Sequence, residues 1–153
     1  MTHGNKFEGN YQGYLNGIVQ LVNVTQNPTN YNLFDQPTNL SITKNVNGGK
    51  NRYVINGAID LTSQGIFVNN LVSLTGVGYQ NENVLNVVLQ GFAAVSQQPQ
   101  LLVFFLIEMQ IHGTKVSQHH HVKKIKAETS FLGANITSAG VIGTGVITAR
   151  RIC

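Results

Sequence analysis

A chain of 153 residues, 42% hydrophobic, is the length of one domain and can bury a core without covalent staples. Charged residues make up only 10%, against roughly 25% in an average soluble domain; 18 Asn and 12 Gln carry the polarity, which disfavours helices, and three prolines exclude Pro-rich disorder. The net charge of +4 rests on ten basic residues, six of them after position 114, and the lone cysteine, Cys153, allows no disulfide within one chain.

The opening MTHGNKFEGN is polar and lacks the basic-then-apolar order of a signal peptide. The longest apolar run, Leu101 to Ile107, falls far short of the ~20 residues that a spanning helix needs, so no transmembrane segment is expected. The compartment is not legible.

From there the pattern has a period of two. NYQGYLNG and IVQLVNVTQ read as an opening pair of strands, followed by a loop, NPTNYNLFDQPTN. In LSITKNV, Leu40, Ile42 and Val46 alternate with Ser41, Thr43 and Asn45. In RYVINGAIDL, Tyr53, Ile55, Ile59 and Leu61 share one face, and Arg52, Asn56 and Asp60 the other. Between these two runs lies NGGK, whose Asn and Gly accept the positive φ of a tight hairpin turn.

Five further strands follow: GIFVNNLVSLTGVGY, VLNVVLQGFAAV, LLVFFLIEMQIHG, HVKKIKAETSFLGA and VIGTGVITARRI. Turns are expected at NEN (81–83), SQQPQ (96–100) and TSAG (137–140). Only the run at 84–95 has a trace of helical character, and its Val and Gly argue against it. Eight or nine strands in one domain over 1–153 predict an all-β fold, a small antiparallel barrel with a β-sandwich as the alternative. Closure removes sheet edges, and glycines within strands suit the sharp bending of a small barrel.

FEGNY, residues 7–11, resembles the Gly-x-Trp start of the calycins, the lipocalin, fatty-acid-binding and avidin-type barrels, with Tyr11 where those have tryptophan. In that group a basic residue of the last strand packs over the ring. The resemblance implies this role for Arg150 or Arg151 in TARRIC. It covers a few residues at each end, and the helix pair of the fatty-acid-binding proteins has no counterpart.

QHHHVKKIKA, 118–127, is the most charged stretch. On a strand, His119 and His121 would share a face and reach one metal ion, with His112 as third ligand from the preceding strand and Glu108 or Glu128 to complete the set. Zinc is the ion such a set takes; no other cofactor is expected. The spacing resembles part of the cupin metal motif but lacks its second half, and the nearby lysines repel a cation. The competing readings are a solvated strand or hairpin tip and a basic patch of Lys115, His119, His120, His121, Lys123, Lys124 and Lys126, gaining charge in mild acid and facing an anionic surface.

In LLVFFLIEMQIHG the odd positions are apolar throughout, while the even ones change from Leu102, Phe104 and Leu106 to Glu108, Gln110 and His112. With the odd face inward, Leu102, Phe104 and Leu106 would form a subunit interface. With the even face inward, Glu108, Gln110 and His112, together with Tyr11, would be polar contacts for a ligand in an apolar cavity, and Glu108 and His112 would be the acid and base of an enzyme. No nucleophile motif or phosphate loop occurs, and aromatic and basic residues do not interleave as a nucleic-acid surface requires.

The expectation is therefore a non-catalytic barrel that holds a small apolar or amphipathic ligand and forms a homo-oligomer. The alternatives are a packed barrel whose basic strand meets an acidic partner, and a cavity-shaped cyclase or isomerase.

Overall fold

The computed structural model describes residues 4–23, 26–61, 71–95, 101–134 and 139–152. Eight strands follow in chain order: β1 (Gly9–Asn23), β2 (Gln26–Lys44), β3 (Arg52–Asp60), β4 (Leu71–Asn81), β5 (Val84–Val95), β6 (Leu101–Val116), β7 (Val122–Ala134) and β8 (Ala139–Ile152). Each pairs antiparallel with the next, and β8 returns to β1, closing the barrel. This is the all-β barrel that the alternation predicted, not the sandwich, and the 84–95 run is strand. A closed antiparallel barrel of eight strands is consistent, at the level of architecture, with the calycin resemblance.

The alternation works as the pleat requires, one side of each strand inward. Tyr11, Leu15 and Val19 of β1, Ile55 and Ile59 of β3, Leu85 and Leu89 of β5, Ile107, Met109 and Ile111 of β6 and Ile147 of β8 meet in the core. Inward glycines let the strands coil tightly. A Cβ on Gly13 would lie 1.8 Å from the Thr148 carbonyl oxygen, and one on Gly76 1.9 Å from that of Val88.

The NGGK hairpin forms as expected, with Lys44 opposite Tyr53 and positive φ at Gly49 and Asn51. Val46 is an exception to its run: the chain leaves the strand at Lys44, and Val46 stands exposed in the turn. The NEN turn also forms, with Asn81 opposite Val84 and Glu82 at φ 57°. The expected SQQPQ turn and the first half of TSAG lie outside the described residues, as does Cys153.

The largest departure is at the start. The expected opening hairpin is one strand, and the expected loop at 27–39 belongs to β2. Its prolines are tolerated because residues 26–37 pair, within the described chain, with β1 alone. A bulge at Asp35 (φ 47°) sets two residues against Asn16. The Asn16 side chain satisfies it both ways, accepting from the Asp35 N–H at 2.9 Å and donating to its carboxylate at 3.1 Å.

Candidate functional site

Three regions bear on function: the barrel interior, the plugged end and the outer wall. The described core is closely packed. Between Leu15, Val19, Leu33, Ile59, Leu61 and Phe131 lies a space of about 40 Å³ with no polar lining. That is room for a water or two, whereas small-molecule sites begin near 300 Å³. Few buried side chains are polar: Gln36, Thr38, Gln80 and Thr129. Only the Thr129 hydroxyl has no hydrogen-bond partner among the described residues.

One end of the barrel is sealed by the N-terminal segment. Phe7 is wholly buried, and the Tyr11 hydroxyl donates to its carbonyl at 2.6 Å. Arg151, on the last strand, sits 5.8 Å from the Tyr11 ring centre. Its guanidinium donates to the carbonyls of Val122 (2.9 Å), Lys6 (3.5 Å) and Glu8. Of the two arginines that the calycin resemblance offered, Arg151 is therefore the one over the ring. Beside it, the Tyr53 hydroxyl donates to Gln80 Oε1 at 2.7 Å, and Gln80 Nε2 donates to the carbonyls of Asn5 and Glu82.

Burial pushes the Tyr11 hydroxyl above its ordinary value against the opposing pull of Arg151. Tyr53 is raised likewise, by burial first and then by Glu8 and Tyr11. Tyr11 is thus part of the plug, across the barrel wall from the other three residues expected beside a ligand.

Those three face outward. Ile107, Met109 and Ile111 of β6 are core, so Glu108 and Gln110 are exposed and His112 is half-buried on the outer wall. Glu108 and Gln110 border an outer groove of about 790 Å³, with Arg52, Tyr79, Asn86 and Glu128 around them. Arg52 lies 4.9 Å over the Tyr79 ring there. Four residues apart on one strand, Glu108 and His112 are separated by about 13 Å, too far to act as one acid–base couple.

The metal set does not assemble either. QHHH is the β6–β7 turn and not a strand: the Ser117 N–H donates to the His121 carbonyl, the His120 N–H returns to Ser117, and His120 takes φ 66°. His112 is opposite Lys126. His119 and His121 belong to the turn, and no group of three metal-ligating side chains occurs among the described residues. Residual desolvation, then the charges of Lys6, Arg151 and His119, hold the exposed His121 imidazole below its ordinary value.

The basic patch is coherent. Val122 and Ile125 both point inward, leaving Lys123 and Lys124 between them on the outer side. A bulge before Lys115 brings that residue opposite Lys124, and Lys124 is opposite Arg150. Three cations on three adjacent strands thus form one row, and His112 and Lys126 form the next. Arg150, absent from the expected patch, completes it. The signal was available only through register, since 26 residues separate Lys124 from Arg150.

At the other end of the same wall is an apolar surface. Leu106, Leu132 and Ile142 are consecutive in register, all exposed, with Leu132 at 61%. The rings of Phe92 and Phe104 pack at 5.1 Å beside them. Phe104 and Leu106 stand where the odd-inward orientation requires, and the Leu102 side chain lies outside the described set. Phe92, Leu132 and Ile142 were not singled out in the sequence, because their surface is assembled by register across β5 to β8.

No helix among the described residues is long and apolar enough to cross a membrane. Comparisons of the chain with protein-family models, curated proteins and solved structures find no match.

Proposed function

We propose that the protein is a non-catalytic interaction module: a packed barrel that self-associates through its outer wall and presents its cationic end to an acidic partner. The observation that carries this reading is the packed core, in which the apolar space between Leu15, Val19, Leu33 and Phe131 is about 40 Å³. Association would use Phe92, Phe104, Leu106, Leu132 and Ile142, since a contiguous exposed apolar surface of this kind marks an interaction site. The test is light scattering coupled to size exclusion. An oligomer that Leu132→Asp converts to folded monomer is expected; a wild-type monomer at high concentration overturns the self-association.

A second reading keeps the apolar ligand. The entirely apolar lining at Leu15, Val19, Leu33 and Phe131 favours it, because an alkyl chain entering there would meet no unpaired polar group. Native mass spectrometry tests it, through extra mass that disappears on denaturation. Arg151 on Tyr11 also supports kinship with the calycins, whose interiors hold such ligands. No observation favours the cyclase or isomerase alternative.

A further inference from the structure

The cationic row does not stop at β8. Arg150 is opposite Gln12 of β1, and Gln12 is opposite Asn39 of β2. The full outer row therefore reads Lys115, Lys124, Arg150, Gln12, Asn39 across five strands. The neighbouring row reads His112, Lys126, Thr148, Tyr14, Pro37. Adjacent strands are about 4.8 Å apart, so each row runs for about 19 Å.

Positive charge is confined to one half of this track. No carboxylate stands in register with Lys115, Lys124 or Arg150, and the nearest acid on β7, Glu128, is two positions beyond Lys126. Like charges directly opposite each other across a ladder cost stability, a cost that a bridging anion removes. The other half is a groove of about 590 Å³, bordered by Gln12, Tyr14, Asn39, Asp60 and Arg150. Tyr14 is 53% exposed on the outer wall. Leu71 and Ile152 edge the groove.

We infer that this track binds an acidic polysaccharide, a glycan carrying sulfate or carboxylate groups. This deepens the proposed acidic-partner role and rests on it. The chemistry fits part by part. Primary and guanidinium cations suit sulfate or carboxylate, with Arg150 capable of a two-pronged contact. The amides of Gln12 and Asn39 supply the donor and acceptor pairs that sugar hydroxyls need. The exposed Tyr14 ring offers a flat apolar face to the C–H side of a pyranose.

A nucleic acid is disfavoured because one ring gives no series of stacking platforms. A lipid surface is disfavoured because the two rows on β6, β7 and β8, Lys115, Lys124, Arg150 and His112, Lys126, Thr148, contain no apolar side chain, and Val116 and Ile152 only flank them. Asp60, at the far side of the groove, places the anionic groups of the glycan over Arg150, Lys124 and Lys115 and its hydroxyls over β1 and β2.

The probe is dextran sulfate, titrated calorimetrically against the full chain at low salt, with uncharged dextran, polyglutamate, a single-stranded oligonucleotide and phosphatidylserine vesicles beside it. Dextran sulfate is expected to bind, more weakly as salt rises. The triple variant Lys115→Gln, Lys124→Gln, Arg150→Gln should weaken it at least tenfold, Arg150→Gln alone several-fold, and Tyr14→Ala several-fold. Lys50→Gln, in the β2–β3 turn off the track, should change nothing. A melting curve on each variant separates binding from folding.

If polyglutamate, oligonucleotide or vesicles bind as tightly and Tyr14→Ala has no effect, the glycan inference fails while the acidic-partner role stands. If no polyanion binds, both fail.

Discussion

The two ends of the barrel are held by different forces. At the plugged end, directional hydrogen bonds run from Tyr11, Gln80 and Arg151 to backbone carbonyls, Phe7's among them, and from Tyr53 to the Gln80 side chain. At the far end, Leu15, Val19, Leu33, Leu61, Val72 and Phe131 meet with no polar group among them. Directional bonds specify one arrangement and leave unpaired groups when broken. Apolar packing tolerates rearrangement and leaves, when trimmed, only space. One end is therefore the part of this fold that is defined by identity, and the other is defined by volume.

The largest expected effect is at the plugged end. Arg151→Ala strips donors from three carbonyls and removes the cation over Tyr11, at a cost of about 4 kcal/mol in chemical denaturation. Arg151→Lys should recover less than half of this, since an ammonium cannot reach all three acceptors from one planar fork. Full recovery with lysine would mean that charge alone, and not direction, holds the plug.

Phe131→Ala at the far end should cost about 3 kcal/mol and enlarge the apolar space. Here the contrast sharpens. Saturating benzene should restore part of the lost melting temperature in Phe131→Ala and none in Arg151→Ala, because a dry apolar cavity accepts a small hydrocarbon. Equal indifference to benzene in both variants would show that the far end is as specifically built as the plug.

The smallest effect concerns pH. The folded His121 imidazole sits below its ordinary value of 6.5. Between that lowered value and 6.5 the unfolded chain holds more protons, so stability falls as pH falls through this window. His121→Asn should flatten that acid limb slightly, as read from urea midpoints at about pH 7.5 and about pH 5.5. An unchanged slope would leave the plug free of any coupling to the turn.

The strands were legible because their code is local: Tyr53, Ile55, Ile59 and Leu61 announce a half-buried strand by themselves. The face to be buried was not legible for β6, because alternation is symmetric and a strand apolar on both sides near its start gives no direction. β2 was misread because Asn, Pro and Asp on outward or one-sided positions look the same as loop residues. For the histidines strand and hairpin tip stayed open for the converse reason: nothing in HHH distinguishes a strand from a turn until Ser117 is seen to close it. The cationic row, the groove beside Tyr14 and the wall at Leu132 were out of reach, since each is assembled by register between strands far apart in the chain.

The β1–β8 seam, from Asn10 opposite Ile152 to Asn23 opposite Ala139, has a consequence in time. Every other strand pair joins neighbours in sequence, and only this one joins the first strand to the last. As the chain leaves the ribosome, β1 can meet β2 early but has no second partner until β8 emerges, so one side of it stays an unpaired edge throughout synthesis. Folding should therefore be gated by a single late zippering event, slow for a protein of this size because of the loop entropy it must overcome. Sequences that trap β1 in the interim, such as another copy of the same strand, are the natural competitors of the native seam.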